Sequence, residues 1–453
     1  MNGVEGVDDG WSGAALGAVL GRVTVGLGEV GARFPLSADP ATGRWTTTRR
    51  GSWTGGFWAG LLWLRARHTG SATDRAAAEA CTARLTDWTG ADTATRGLIL
   101  WYGTALAPDS APARRLRDHA ARTCLTAYDP ELGLVPWGAA FGGPRELARA
   151  DAVPGLVPLL ASAGPHGGKA AMSHLYRHLD LCLGAGAGAG SDEPVPGQDE
   201  VPAPAPLRAT AWRHDSRTGW HPLTDPPPGW SRGRAWLLLA VADALTLPGG
   251  TAGTASTTGT APTTGTASFA VVAGSAEAAG NGGAASTARA DRTTGTTGIT
   301  GSAEDLAQLR AAAKRLGAPL DTTSPPEGAS PEPTTPAGAP LVPPADEAHP
   351  GGPVDTSAAA ITAVALLKLA SLPGGEDCGR RAVAVLRRLV TAHLSGSDGS
   401  GGSGNGRPPS GMLLDGCHDA TTGTAVRHEL VWGDFFLALG LAALTGLVDL
   451  RDV

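Results

Sequence analysis

The 453-residue chain has little of several things that usually announce a function. Its five cysteines (Cys81, Cys124, Cys182, Cys378 and Cys417) are odd in number and far apart. There is no C-x-x-C pair and no histidine at zinc spacing, so neither a disulfide framework nor a zinc cluster is expected, and the thiols read as reduced and mostly core residues. A net charge of −6 with no Lys/Arg cluster leaves no footprint for nucleic acid and none for a membrane surface. No apolar run reads as membrane-spanning, and the acidic stretch Met1–Gly10 lacks the basic and apolar regions of a signal peptide. A cytosolic protein is the expectation. Alternating β patterns are scarce as well.

Glycine and proline, by contrast, are plentiful, at 66 and 35 residues. They concentrate in four tracts: 185–206 (Gly/Ala, then Pro/Glu), 248–301 (Gly/Thr/Ala), 317–353 (Pro-rich) and 395–410 (Gly/Ser). Each lacks the large apolar side chains that offset the entropy of ordering a chain, so each is expected to be a disordered loop. A surface insertion costs little loop entropy, so the 248–301 tract reads as an insertion within one domain over 11–446 rather than a linker between two.

Between the tracts, helical periodicity dominates. It predicts helices near 12–31, 55–68, 72–89, 95–107, 111–127, 151–163, 168–184, 232–246, 303–316, 357–371, 377–394 and 430–446. Ser110, Ser302 and Asp355 stand where N-caps belong. Twelve helices joined by alternating short and long loops predict an all-α fold, an (α/α)6 barrel of six helical hairpins in which inner and outer helices alternate. An α-solenoid would use the same elements, but no fixed sequence period is found.

Five ordered segments carry the candidate chemistry. The first, Trp53-Thr-Gly-Gly-Phe-Trp58-Ala-Gly-Leu-Leu-Trp63, clusters tryptophan and glycine at a helix mouth. Flat apolar rings with a polar edge suit the face of a sugar, although the same rings would also fill a core. The second, Asp92-Thr-Ala-Thr95-Arg-Gly97, holds a carboxylate before an apolar run; Asp92 reads first as a cap of the following helix and second as a catalytic carboxylate. The third runs Tyr128-Asp-Pro-Glu-Leu-Gly-Leu-Val-Pro-Trp137, then Arg149-Ala-Asp151-Ala-Val-Pro-Gly-Leu-Val-Pro-Leu-Leu. An Asp at such a helix start is commonly a cap, and a carboxyl held against apolar walls is also a candidate proton donor. The fourth joins Trp212-Arg-His214-Asp215-Ser-Arg-Thr-Gly219-Trp-His221 to Trp230-Ser-Arg232-Gly-Arg-Ala-Trp236. The fifth comprises Asp355-Thr-Ser357-Ala-Ala-Ala and Glu429-Leu-Val-Trp432-Gly-Asp434, whose small and polar residues suit capping or the lining of a pocket.

In this order, and together with Arg33-Phe-Pro35, these segments resemble the unsaturated glucuronyl hydrolases, glycoside hydrolase family 88, over roughly residues 30 to 446. The resemblance implies a hydrolase acting on a 4,5-unsaturated uronic acid at the non-reducing end of oligosaccharides left by polysaccharide lyases, by hydration of the enol ether. It implies no metal and no organic cofactor. By residue, it makes Asp151 the catalytic acid/base and Arg232 the grip on the substrate carboxylate. Trp53, Trp58, Trp137, Trp230 and Trp236 become sugar-binding surfaces, and His221 and Ser357 substrate contacts. Thr95 stands where the family carries a second catalytic aspartate, which leaves Asp92 as the nearest carboxylate, and Thr210 stands where it carries a histidine. The related unsaturated rhamnogalacturonyl hydrolases of family 105, and a barrel that binds uronates without turning them over, are the alternatives.

Overall fold

The computed structural model describes residues 10–184, 206–247, 302–318, 340–396 and 408–453. The expected loops at 185–206, 248–301 and 395–410 therefore lie wholly or largely outside the described residues. Eleven α-helices occur among the described residues: α1 (Trp11–Val30), α2 (Gly55–Thr69), α3 (Ala72–Ala83), α4 (Ala111–Thr126), α5 (Leu156–Ala161), α6 (Pro165–Leu183), α7 (Ser231–Thr246), α8 (Ala303–Gly317), α9 (Thr356–Ala370), α10 (Glu376–His393) and α11 (Val431–Leu444). A π-helical turn, Gly97–Trp101, occupies the place of the helix expected at 95–107.

The helices form two concentric layers. α2, the π turn, α5, α7, α9 and α11 each pack against the next, and α11 returns to α2, closing a ring of six. α1, α3, α4, α6, α8 and α10 lie outside it, each against one or two ring members. Composition sorts the layers. α11, VWGDFFLALGLAAL, is apolar almost all round, as a helix surrounded by others must be, and every residue from Val431 to Ala442 is buried. α10 buries only one stripe, including Val385, Leu386 and Leu389, and exposes Arg380 and Arg387.

Two glycines let the ring close tightly at the π turn. A side chain at Gly56 would meet the Leu98 carbonyl oxygen at 2.2 Å, and one at Gly97 would meet the Leu156 backbone nitrogen at 2.1 Å. There α2, the π turn and α5 touch backbone to backbone, and only glycine permits that approach. Inside the ring, Phe57 lies 5.4 Å from Tyr102 and 6.2 Å from Trp236, with Phe435 and Phe436 beside it, so the barrel axis is filled with aromatic rings. Each such ring contributes about 1.5–3 kcal/mol by burial.

α1 is long and apolar enough, by length and composition, to cross a membrane. Here it is an outer helix packed on α11 and α2, and its Arg22 donates to Glu429 at 2.9 Å. The three expected caps are in place: Ser110 accepts from Ala113 N, Ser302 forms a capping box with Asp305, and Asp355 accepts from Ser357 N.

Seven short strands depart from the all-helical expectation. β1 (Phe34–Ala38), β2 (Trp45–Thr48), β6 (Gly416–Asp419) and β7 (Thr424–Leu430) make one antiparallel sheet in the order β2-β1-β7-β6. β3 (Leu147–Arg149), β4 (Ala211–Asp215) and β5 (Gly219–Pro222) make a second. Runs of three to seven residues are too short to display a clear period of two in the sequence. They precede α2, α5, α7 and α11, and so gather at the end of the ring where the inner helices begin.

The Pro-rich tract is also corrected at its ends. Gly317 completes α8, and 340–353 is a pinned segment: Pro344 bridges Val354, Asp346 bridges Trp230, and Val342 is buried.

Candidate active site

A cavity of about 950 Å³ opens at the sheet-bearing end of the ring. Its lining comes from the segments leading into the inner helices: Trp53 before α2, Arg149 and Asp151 before α5, and Trp230 and Arg232 at the start of α7. Pro353 before α9 and the β6–β7 hairpin at His418 and Asp419 complete it. The positive ends of the inner helices therefore face the cavity, which favours an anionic ligand.

Of the residues picked from the sequence, Asp151, Trp53, Trp137, Trp230 and Arg232 meet on this wall, while Trp236, 1 % exposed, lies beneath it against Phe57 and Phe436. Asp151 is 18 % exposed and holds the Arg149 guanidinium, Nε to Oδ1 at 3.1 Å and Nη2 to Oδ2 at 3.3 Å. The same guanidinium lies 4.6 Å from the centre of the Trp137 ring. Burial works against the charge of Arg149, but the nearby carboxylates Asp151 and Asp225 outweigh it and raise its pKa. Trp53 packs at 4.8 Å against Trp432, and Arg232 sits between the Trp230 and Trp432 rings at 5.1 and 5.4 Å.

Four more expected site residues are not on the wall. Asp92 is 44 % exposed and ties down the loop after Trp137, accepting from Ala139 N at 3.0 Å and Arg145 Nε at 3.2 Å. Trp58 is 2 % exposed, a core residue against Gly26, because its helical position turns it toward the outer layer. His221 is exposed on β5, where its ring nitrogen pairs with the Thr218 hydroxyl at 2.7 Å. Ser357 is wholly buried; its hydroxyl donates to Asp355 Oδ1 at 2.6 Å and accepts from Trp432 Nε1 at 3.0 Å. Thr95 is buried too, its hydroxyl 2.9 Å from that of Thr93.

The structure adds wall residues that the sequence reading passed over: Arg149, Asp225, Asp346, His349, His418 and Asp419. A signal for two of them was present. His418-Asp419-Ala-Thr-Thr422-Gly423 repeats the pattern of His214-Asp215-Ser-Arg-Thr218-Gly219. In both, the aspartate accepts from the two backbone N–H groups that close the turn, Arg217 and Thr218 in one and Thr421 and Thr422 in the other. Burial, and then the Arg232 charge, push the His418 pKa down to about 4, so its imidazole is neutral near pH 7. Asp346 and His349, paired at 2.7 Å, bring the end of the Pro-rich tract into the wall.

No family model matches this chain, and no curated protein sequence matches it. Among solved structures its two-layered ring has clear counterparts, and the class of fold is an (α/α)6 barrel. The barrels concerned are unsaturated glucuronyl hydrolases. One from Bacillus sp. GL1, described as responsible for the degradation of glycosaminoglycan, is 19% identical with a TM-score of 0.64 over 96% of this chain and 96% of that one. One described as specific for heparin is 15% identical, TM-score 0.65, over 98% and 99%. One from Streptococcus agalactiae is 14% identical, TM-score 0.63, over 98% and 94%. At these identities the likeness is one of fold.

Proposed function

We propose that the protein is a glycoside hydrolase of the unsaturated glucuronyl hydrolase type, acting on a 4,5-unsaturated uronic acid at the non-reducing end of an oligosaccharide. One observation carries the reading: Asp151 meets Trp53, Trp137 and Trp230 around a single cavity, with two guanidinium groups on the same wall. Indole faces suit the apolar face of a sugar, a guanidinium suits a carboxylate, and a volume of about 950 Å³ holds a disaccharide. The likeness of the barrel to the unsaturated glucuronyl hydrolases supports the same reading.

The chemistry asks for little. Asp151 delivers a proton to C4 of the C4–C5 double bond, and positive charge develops on C5 and the ring oxygen. Water adds at C5 and returns a proton to the Asp151 carboxylate. The hemiketal so formed opens to a ketone at C5, and the aglycone leaves C1 as its alcohol. The neutral His418 imidazole, which lines the same cavity, is the group we assign to orient that water. The five cysteines, all free, are in keeping with action in the cytosol.

The test is the decay of enol-ether absorbance on incubation with unsaturated chondroitin disaccharides, expected for the wild type and lost in Asp151→Asn. Unchanged turnover in Asp151→Asn overturns the assignment. A second reading, binding without turnover, is favoured by Thr95, which is buried away from the wall and supplies no second carboxylate. It predicts ligand binding with no decay in the wild type.

A further inference from the structure

The two arginines of the cavity wall are held in opposite ways. The Arg232 side chain is 3 % exposed, and its terminal nitrogens donate to Asp355 Oδ2 at 2.5 Å, to the Cys417 carbonyl at 2.5 Å and to the His418 carbonyl at 2.7 Å. A ligand carboxylate that took these donors would strand a buried aspartate and two carbonyls, and stranded buried groups are expensive. Arg149 is 22 % exposed, and its fork is spent on Asp151, two residues along the chain and itself partly open to the cavity. The pair is partly open to the cavity rather than enclosed, so an incoming carboxylate can exchange with Asp151 on the fork while the guanidinium keeps an anion and Asp151 turns to the solvent-filled space.

We infer that Arg149, rather than Arg232, receives the carboxylate of the uronate, and that Asp151 is released from its ion pair as the ligand binds. The inference rests on the function proposed above. Nε and Nη2 already present the two parallel N–H groups that a carboxylate accepts side by side. The Trp137 ring supports the guanidinium plane from one face, so the fork need not be reoriented far. Arg232 then shapes the mouth by holding Asp355 to the β6–β7 hairpin. A neutral sugar lacks the anion that exchanges with Asp151, so the device selects for acids at the residue that performs the proton transfer.

The experiment is calorimetric titration with a saturated methyl glucuronide, which cannot be hydrated, and with its carboxyl methyl ester. The wild type is expected to bind the acid about tenfold more tightly than the ester. Arg149→Gln should bind the two within about twofold of each other with ester affinity unchanged, while Arg149→Lys keeps part of the preference. Asp151→Asn, which removes the internal competitor, should bind the acid severalfold more tightly than the wild type, an effect that a merely structural role for Arg149 would not produce. Retention of the tenfold preference in Arg149→Gln overturns the assignment. If that variant does not fold, an Asp151→Asn protein that binds the acid no more tightly than wild type overturns it equally. A wild type that binds neither compound sinks both this inference and the proposed function. A wild type that prefers the acid through Arg149 yet leaves unsaturated disaccharides intact sinks the hydrolase reading and leaves this one standing.

Discussion

Arg232 and Asp355 form a buried ion pair at the mouth of the barrel, Nη1 to Oδ2 at 2.5 Å, with side chains 3 % and 1 % exposed. Asp355 also caps α9 and accepts from Cys417 N at 3.3 Å, so one carboxylate ties the starts of α7 and α9 to the strand β6. Removing the anion leaves the guanidinium charged and unmatched in a dry site. Asp355→Ala is therefore expected to cost about 3–5 kcal/mol of stability. Asp355→Asn, which keeps an acceptor for Ser357 N, should cost less. Urea denaturation measures both, and a loss in the alanine variant within experimental error of zero would show that the pair does not hold the mouth together.

Asp92 and Asp151 make a second contrast, because the sequence offered both as catalytic carboxylates and the structure separates them. Asp92 is solvent-exposed on a loop clamp, where ion pairs are worth about 0–1 kcal/mol. Asp92→Asn should leave kcat/KM for an unsaturated disaccharide within about threefold of wild type, whereas Asp151→Asn should lower it by about 10²–10⁴. Steady-state rates from the enol-ether absorbance decide the matter, and a large loss in Asp92→Asn would return that residue to the reaction.

The tryptophans divide in the same way. Trp58 is enclosed by the core, so Trp58→Ala opens a large cavity and is expected to cost about 3–5 kcal/mol. Trp137 is half-buried, faces the ligand space and supports Arg149. Trp137→Ala should weaken uronate binding about tenfold while sparing most of the stability. Thermal melting beside calorimetry separates the two effects. The roles assigned here fail if Trp58→Ala melts as the wild type does, or if Trp137→Ala binds as tightly.

These contrasts also show what the chain declares in advance. The ring was legible because outer helices such as α10 carry an amphipathic stripe, because inner ones such as α11 are unbroken apolar runs, and because Ser110, Ser302 and Asp355 mark three of the starts. Asp151 and Arg232 were legible because each sits in an ordered run of tryptophan, glycine and apolar residues. Arg149 was hidden by being two residues from a more conspicuous carboxylate; only coordinates reveal that the two side chains face each other. Asp346 and His349 were hidden by composition, since proline and glycine around them resemble a tract with nothing to bury. Trp58 and Ser357 were misplaced because a sequence motif gives spacing along a helix, not the direction that each side chain takes once the ring has closed.

Behind Asp151 lie His174 and His178, both fully buried with ring centres 4.4 Å apart. Val135 N donates to His174 Nδ1, and the His178 Nδ1 lies 2.7 Å from the His174 carbonyl. Burial, the dominant cause, lowers both pKa values, that of His178 to about 4. In the unfolded chain a histidine titrates near 6.5, so between about pH 6.5 and 4 the unfolded state binds protons that the folded state refuses. The contribution to stability is fully present above about pH 6.5 and is lost as the pH falls toward 4, amounting to about 3 kcal/mol for His178. Glu429 acts in the opposite sense: burial raises its pKa to about 7, so its contribution declines as the pH rises through that value. The comparison that isolates the histidine is wild type against His178→Gln in urea at several pH values. The wild type should lose about 3 kcal/mol more than the variant between pH 6.5 and 4. Parallel curves would mean that His178 is protonated in the folded barrel, and that the region behind the catalytic aspartate is open to water.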